Sequence, residues 1–279
     1  MTGRRRAGPY SASWTSEMVK SLLIRHEGAR LERDVMVPWL GSFTDVCGIV
    51  VITRGRGRIA GKVRRQIRRV GLLRFADVLA FRVYYRMRLA RADAAWEERY
   101  ASALTARYGR LAGSPPTLRT HDVNSDEVAD FIAQRAPDFT LARCSVLLDR
   151  RIFSLPRHGT FVVHPGIAPE YRNSHGCFWA LANRDMEHVG ATLLRIDEGV
   201  DTGDIYGYHS YDFDEVAESH VMIQKRVVYE NLDALRGELL SITDGSARAV
   251  DTSGRRSASW GQPWLSAYLR WKRAARRPR

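Results

Sequence analysis

Two short segments hold the side chains best suited to acid–base chemistry. His164 ends the apolar run 161–164 and is followed by a Pro-Gly pair that stops a strand. Residues 197–204 read DEGVDTGD and place three carboxylates within five positions, on Asp197, Glu198 and Asp201. An imidazole beside a carboxylate can exchange protons near neutral pH. The two segments therefore predict a proton-transfer site made of His164 and the acidic loop.

Each segment has a plainer interpretation when it stands alone. A histidine at a strand end is more often a hydrogen-bonded structural residue, and an ordinary acidic turn explains one or two carboxylates. Ligands of open α/β sheets bind beyond the carboxyl ends of the strands. Because both segments follow predicted neighbouring strands, we expect them to meet at one ligand-binding edge.

The elements that must position these residues follow from the apolar patterns. Short apolar runs predict strands at residues 19–24, 46–53, 139–142, 159–163, 190–196 and 205–213. Helical spacing predicts helices at residues 31–43, 61–102 (one or two), 122–136, 173–183 and 219–242, the last as one long helix. Asn124 or Ser125 would cap the helix at 122–136. The alternation predicts an α/β fold with a doubly wound, mostly parallel, Rossmann-like sheet.

Composition divides the chain into three parts. Residues 1–15 are polar and basic, which predicts a flexible arm outside the fold. Residues 16–245 carry the α/β pattern, with a helical insertion at about residues 55–105. Residues 246–279 form a short basic C-terminal extension whose tryptophans would stack on a base or sugar, or would pack on the domain or on a second subunit. A homodimer is therefore one of the possible assemblies.

The chain carries a strong positive charge. Its 44 Lys and Arg residues exceed its 31 Asp and Glu residues by 13, and only four of the 44 are Lys. The excess lies at residues 1–6, 54–69 and 255–279, which suits a polyanion such as nucleic acid, a nucleotide or a polyglutamylated cofactor. The scarcity of Lys favours instead an arginine-rich composition with solvated faces. We favour that second interpretation and keep nucleic acid as the alternative.

Cysteine usage and hydropathy limit the remaining classes. Cys47, Cys144 and Cys177 are odd in number and lack C-x-x-C spacing, which is typical of a reduced cytoplasmic protein. No uninterrupted apolar run approaches the length of about 18 residues that a membrane span needs. The histidines are too scattered for a zinc site, so we expect neither a membrane partner nor a metal.

The two segments, with their surroundings, resemble the folate-dependent formyltransferase family. That family includes the glycinamide ribonucleotide, methionyl-tRNA and sugar N-formyltransferases. The resemblance follows the order of five stretches: HP at 164–165, PEYR at 169–172, WALAN at 179–183, GAT at 190–192 and DEGVDTG at 197–203. It is strong over residues 137–213 and weak over the β-α-β unit that begins near residue 19.

The resemblance implies a donor, a reaction and roles for named residues. The formyl donor would be 10-formyltetrahydrofolate, and a substrate amine would attack the formyl carbon. His164 matches the catalytic histidine that stabilises the oxyanion, and Asp201 matches the aspartate that sets the protonation of the histidine and relays the proton of the amine. The folate would bind between two loops whose residues are Arg143, Cys144, Val146, Leu148, Asp197, Glu198, Gly199 and Val200.

One position departs from the family pattern. The family has Asn two residues before the histidine, where its amide binds the formyl oxygen, and this chain has Val162. Asn173, Ser174 or His175 could supply the missing donor, because the chain returns near His164. Asn173 or Ser174 could instead cap the following helix. A changed reaction, or a catalytically silent protein, is the further consequence of the departure.

The length of chain beyond the catalytic pattern constrains the acceptor amine. Methionyl-tRNA formyltransferases carry an extra β-barrel domain, whereas about 35 residues follow Ile242 here, too few for a barrel. We therefore expect a small-molecule amine, either an amino sugar nucleotide or an amine of specialised metabolism. A tRNA- or RNA-directed formyltransferase, or an altered or silent relative, is the alternative.

Overall fold

A computed structural model describes residues 18–53, 71–109, 111 and 113–277. Its strands are β1 (Lys20–His26), β2 (Asp45–Ile52), β3 (Thr117–Thr120), β4 (Phe139–Arg143), β5 (Thr160–His164), β6 (Arg172–Asn173), β7 (Ala191–Arg195), β8 (Ile205–His209) and β9 (Ser259–Trp260). Its helices are α1 (Val37–Gly41), α2 (Leu72–Arg88), α3 (Ala90–Tyr108), α4 (Asp126–Arg135), α5 (Arg150–Phe153), α6 (Gly176–Ala182), α7 (His220–Tyr229), α8 (Leu232–Thr243) and α9 (Leu265–Ala275). The arm at 1–15 and the basic segment at 54–69 lie outside the described residues.

Seven strands form one sheet in the order β3-β2-β1-β4-β5-β7-β8. The first five run parallel, and β7 and β8 run antiparallel to their neighbours. Helices cover both faces, so the predicted doubly wound, mostly parallel sheet is confirmed. Strand β3 was missed, because its sequence TLRT has no apolar run and only one of its four residues is buried.

Buried strands explain why the sheet holds together. Leu22 and Ile24 face one side of β1 and pack with α4 and α5, whereas Leu23 faces the other side and packs with α1 and the later helices. All three side chains are fully buried. Strands with both faces covered bury nearly every residue, which is why they read as continuous apolar runs.

The predicted helix at 219–242 is two helices. The side chain of Ser219 caps α7 by accepting a hydrogen bond from the backbone N–H of Met222. The chain then bends at Asn231, whose side-chain amide donates to the carbonyl oxygens of Val227 and Ser210. The apolar spacing continues across the bend because α7 and α8 both bury one face in the same core.

The C-terminal extension is packed into the fold. Strand β9 pairs in parallel with β6, and α9 packs against α2 and α6. Trp271 is fully buried, and Trp260 stacks on Tyr171 and Trp179 with ring centroids 5.6 and 5.0 Å away. The extension therefore helps to position the residues that follow His164.

Candidate active site

One cavity of about 470 Å³ opens beyond the carboxyl ends of β4 and β5. All twelve site residues predicted from the sequence line it: Arg143, Cys144, Val146, Leu148, His164, Asn173, His175, Asp197, Glu198, Gly199, Val200 and Asp201. They come from four separate stretches of the chain. The predicted site requires these residues to lie close together, and they do line the same cavity.

His164 is the buried end of β5, with 5% of its surface exposed. Its Nε2 lies 2.8 Å from the carbonyl oxygen of Tyr171. Because a carbonyl oxygen only accepts, Nε2 carries the proton and donates it. Nδ1 lies 3.4 Å from Oδ2 of Asp201. Nδ1 is therefore the ring nitrogen that faces the carboxylate of Asp201.

A close approach of two glycines lets Tyr171 reach His164. A Cβ at Gly166 would lie 2.5 Å from the carbonyl oxygen of Tyr171 and 2.7 Å from Nε2 of His164, and one at Gly176 would lie 2.5 Å from Cα of Gly166. Thr192 fixes the same turn, because its hydroxyl donates to the carbonyl of Gly166. These contacts explain why the stretches HPG and GAT occur together in the sequence.

Asp201 reaches His164 by an indirect route. Strand β7 is antiparallel to β5, with Thr192 opposite His164, so β7 ends at the far end of β5. The two segments follow neighbouring strands, as predicted, but those strands end at opposite edges of the sheet. The acidic loop instead folds back over the sheet, where Arg172 donates to the carbonyl of Val200 at 2.7 Å. The backbone N–H of Asn173 donates to Oδ2 of Asp201, also at 2.7 Å.

Three site residues adopt left-handed backbone conformations. The φ angles are 75° at Asn173, 59° at His175 and 51° at Asp201. Non-glycine residues rarely adopt such angles, and residues held in them cluster at functional sites. The strain falls where the β6 turn and the acidic loop meet, and it fixes the hydrogen bond between Asn173 and Asp201.

The side chain of Asn173 does not replace the missing family asparagine. Its amide Nδ2 donates to the carbonyl of Trp260 at 2.8 Å, which directs the group toward β9. Asn173 and Ser174 do not cap α6 either, since that helix begins at Gly176 with His175 at the cap position. The parallel pairing with β9, which comes 86 residues later in the chain, decides this geometry. Asn173 acts on the site through its backbone N–H.

His175 borders the opposite wall of the cavity. Burial lowers the pKa of its imidazole to about 4, so the ring is neutral near physiological pH. The nearby side chain of Gln224 acts against this lowering of the pKa. Nδ1 of His175 and Oε1 of Gln224 are nevertheless both buried without a hydrogen bond of normal geometry to any described residue. The ring centroid lies 6.2 Å from that of His220. His175 therefore lies on the α7 side of the cavity, whereas Asp201 approaches His164 from the acidic loop.

Val162 occupies the position of the missing donor. It lies two residues before His164 on the same face of β5, and both side chains line the cavity. Val162 packs against the small cluster of Ala168, Leu194 and Ile205. Valine has no hydrogen-bond donor, so this position contributes none to the oxyanion-binding side of His164.

The predicted folate loop, residues 143–148, is held at both sides. The carboxamide of Asn124 donates to the carbonyl of Leu147 and accepts from the backbone N–H of Asp149. His26 accepts from the backbone N–H of Ser145 at 3.1 Å. These bonds also explain why Asn124 makes no cap bond to α4. The loop is therefore a fixed wall of the cavity.

The chemistry of the loop suits a flat apolar ring. Val146 and Leu147 are 42% and 65% exposed, whereas Leu148 is buried. Burial raises the pKa of the Cys144 thiol, so this thiol stays protonated. The guanidinium of Arg143 turns away from the loop and bonds to the carbonyl of Val163 and to Glu32. The guanidinium of Arg143 therefore lies next to Val163 and Glu32 and not beside the side chains of residues 144–148.

Four polar lining residues outside the predicted loops were missed by sequence reasoning. They are His26, Glu32, Gln224 and Gln262. Glu32 begins a π-helical turn, Glu32–Met36, a local geometry that is frequent at functional sites but leaves no sequence signature. Gln224 and Gln262 belong to α7 and to the C-terminal extension, whose packing no local pattern predicts. His26 ends β1, and its position at a strand end was the available signal.

Two features of the described residues concern binding of a metal ion and crossing of a membrane. Among residues 18–53, 71–109, 111 and 113–277, no group of three or more His, Cys, Asp or Glu side chains is placed to hold a metal ion. In the same part of the chain no helix is long and apolar enough to cross a membrane.

Comparison with known proteins adds sequence relatives. The family model described as formyl transferase matches residues 90–236. The methionyl-tRNA formyltransferase of Sorangium cellulosum (strain So ce56) is 28% identical over 169 residues, covering 58% of this chain and 52% of that protein. The chain thus spans about half the length of this curated relative.

Two solved structures share the fold. The glycinamide ribonucleotide transformylase 1 of Symbiobacterium toebii superposes with a TM-score of 0.53 at 11% identity, covering 88% of this chain and 100% of that one. A 4-N formyltransferase from Francisella tularensis superposes with a TM-score of 0.51 at 12% identity, covering 92% of this chain and 87% of that one. At such low identity the likeness concerns the fold.

Proposed function

The chain belongs to the formyl transferase family, and from that premise we propose that it transfers a formyl group from 10-formyltetrahydrofolate to the amine of a small molecule. The amine nitrogen forms a bond to the formyl carbon, and the tetrahedral intermediate then collapses with cleavage of the bond to the folate nitrogen. Tetrahydrofolate leaves with a proton, and the product is a formamide. The observation that carries the proposal is the contact of His164 with Asp201 inside the cavity.

The donor lies between the two loops of the cavity in this proposal. The exposed Val146 and Leu147 offer an apolar surface on one side, and residues 197–200 form the other wall. Asp197 keeps that wall in shape, because it accepts from the backbone N–H of Gly199 and from the hydroxyl of Thr202. A pteridine ring would bury the exposed side chains and thereby gain hydrophobic free energy.

His164 acts through Nδ1 in this mechanism. With Nε2 committed to Tyr171, the protonated ring has one N–H directed toward Asp201 and the cavity. That N–H can transfer its hydrogen bond from Asp201 to the oxyanion, because the contact at 3.4 Å is long for a charged pair. Asp201 in turn receives the proton of the attacking amine through water. Asn173 is a positioning residue that holds Oδ2 of Asp201.

The oxyanion is stabilised by fewer donors than the family pattern supplies. Val162 offers none, so the donor that the family has two residues before the histidine is missing here. One aimed donor is worth about 2.7–4 kcal/mol of transition-state stabilisation in other enzymes. We therefore expect a slow enzyme, and the structure contains the position at which its rate can be raised.

A small acceptor is favoured over a tRNA by the packing of the C-terminal extension. Gln262 lines the cavity, and β9 fastens the turn that holds Asn173. The segment after Ile242 is thus part of the wall of the site. The similarity to the methionyl-tRNA formyltransferase of Sorangium cellulosum covers 52% of that protein.

Leu147 provides the test of the donor site. Leu147→Asp puts a charge where the pteridine would pack, next to the acidic loop, and should raise the KM for 10-formyltetrahydrofolate at least tenfold. Leu155→Asp is the matched control, because Leu155 is also exposed but lines a different cavity, next to Arg157. Equal KM values in both variants and the wild type would contradict the proposed donor site.

A further inference from the structure

Helix α2 (Leu72–Arg88) has apolar side chains on two opposite faces, one inside the fold and one in solvent. We propose that the solvent face docks the protein on an anionic lipid surface, with the helix lying flat among the headgroups. Docking of this kind goes beyond the formyl transfer proposed above. It concerns binding only, so it can be tested without turnover.

The inner face of α2 fixes the orientation of the helix. Val78 and Phe81 are buried on this face. The ring centroid of Phe81 lies 5.9 Å from that of Phe178 on α6 and 5.3 Å from that of Tyr268 on α9. Because these contacts hold the helix from one side, its opposite side points away from the core.

The outer face of α2 carries a row of large apolar side chains. Leu72, Leu79, Val83 and Met87 follow one another at steps of seven, four and four, which places them on one side of a helix. Leu73 lies beside them. We call these five residues the outer stripe, and their exposed fractions run from 50% to 88%. Single exposed apolar residues are ordinary, whereas a contiguous row marks an interaction surface.

Arginines border the outer stripe. Helical spacing places Arg82 and Arg86 along one border. It places Tyr84 and Arg88 along the other, and all three arginines are exposed. An apolar face bordered by arginine and tyrosine is typical of helices that lie in the membrane interface. The long arginine stems can cover apolar surface while their charges reach the headgroups.

Charge favours lipid over the other possible occupants of the outer stripe. A second copy of the chain would bring the same arginines and its own net charge of +13. A nucleic acid would attract the arginines but would leave the stripe in water. An anionic lipid surface accepts both the apolar side chains and the positive charge. Residues 54–69, which precede α2 in the sequence, add eight Lys and Arg and no Asp or Glu.

This docking differs from the membrane contact that the sequence argued against. The expectation of no membrane partner rested on the lack of a long uninterrupted apolar run. Such a run is needed to span a bilayer, and a helix that lies on the surface does not need one. Docking through α2 would therefore correct that expectation.

Sedimentation of the full chain with lipid vesicles tests the proposal. One set of vesicles contains phosphatidylglycerol and phosphatidylcholine in equal amounts, and the other contains phosphatidylcholine alone. We expect the affinity for the mixed vesicles to be higher by at least about tenfold, because several basic residues lie next to the outer stripe. Equal affinities, or no binding to the mixed vesicles, would overturn the proposal.

A pair of serine substitutions separates docking of the outer stripe from adsorption by charge. Leu79→Ser with Val83→Ser removes apolar surface at unchanged net charge and should weaken binding to the mixed vesicles by at least about tenfold. Leu155→Ser with Val250→Ser is the matched control, because both side chains are 37% exposed and lie outside α2. The control should bind as the wild type does. Met87→Ser, at a side chain that is 77% exposed, serves if the double variant does not fold. Unchanged affinity of the α2 variants would mean adsorption by charge alone and would overturn the proposal.

Measurements without vesicles identify the other occupants. A wild-type dimer that the substitutions at Leu79 and Val83 dissociate, as seen by sedimentation velocity, would assign the outer stripe to a second copy. A melting temperature about 10 °C or more below that of the control variant would show that the chain itself packs over the stripe. Either result would overturn docking on lipid.

Discussion

The carbonyl oxygen of Tyr171 accepts a hydrogen bond from Nε2 of His164 at 2.8 Å, and this bond selects Nδ1 as the nitrogen that works with Asp201. Tyr171 is itself fixed on two sides, because its hydroxyl donates to Asp185 and its ring stacks on Trp260. The tautomer of His164 is thus selected by a turn seven residues away along the chain. Without the hydrogen bond to Tyr171, either ring nitrogen of His164 could carry the proton. The direction of proton transfer between His164 and Asp201 would then not be fixed.

Gly166→Ala tests this relationship. The new Cβ would meet both the carbonyl of Tyr171 and Nε2 of His164 below 3 Å, so one of them must move. Turnover should fall by roughly 10² or more, because a misplaced general acid loses most of its contribution. Gly237→Ala is the control, since its Cβ would meet nothing within 4 Å. Wild-type kcat in the Gly166 variant would show that the bond does not matter.

Val162→Asn tests the missing oxyanion donor. The amide would project into the cavity beside His164, at a place that neither Asn173 nor His175 fills. We therefore expect kcat to rise by at least about tenfold, because an aimed donor is worth about 2.7–4 kcal/mol. Val162→Leu, which brings no donor, should show no such rise. A slower Val162→Asn variant with a lower melting temperature would mean that the amide is buried without a partner.

Local sequence signals predicted that His164 and Asp201 would meet, and long-range pairing decided the rest of the site. His164 and Asp201 each lie in a short segment that matches the family pattern, so this contact could be predicted. The antiparallel orientation of β7 could not be predicted, because an apolar run of five residues does not show in which direction a strand runs in the sheet. The apolar stripe at 219–242 likewise hides the bend at Asn231, since α7 and α8 share one core.

Glu32 and Asn173 likewise show which parts of the site local sequence patterns did not predict. Glu32 lies in a helix whose existence the sequence predicts, but only the π-helical turn brings its side chain to the cavity. The side chain of Asn173 was predicted to face His164, and the pairing with β9 turned it toward Trp260 instead. Such contacts depend on segments far apart in the chain, which periodicity within one segment does not encode.

His220→Phe should reduce the acid sensitivity of the fold. Burial among aromatic rings lowers the pKa of His220 to about 3, against about 6.5 in the unfolded chain. Below pH 6.5 the unfolded chain therefore binds a proton that the folded chain does not. Stability is complete above that pH and is lost as the pH falls toward 3, by about 2 to 3 kcal/mol at pH 4.5.

Melting temperatures between pH 7 and 4.5 measure this effect. The wild type should lose stability steadily over that range, and the His220→Phe variant should lose less, because the phenyl ring takes up no proton. The residual slope reports His175, whose pKa burial also lowers, to about 4. Parallel curves for the two proteins would contradict the burial of a neutral His220.

The most direct measurement of the proposed chemistry is the turnover of 10-formyltetrahydrofolate by His164→Ala. With a small amine that the wild type formylates as acceptor, the variant should keep the wild-type melting temperature within a few degrees and lose roughly 10²–10⁴ in kcat. Donor affinity should change little, because the imidazole contacts Tyr171 and Asp201 and lies apart from the exposed Val146 and Leu147. A folded His164→Ala protein that retains more than half of the wild-type turnover would contradict catalysis by His164.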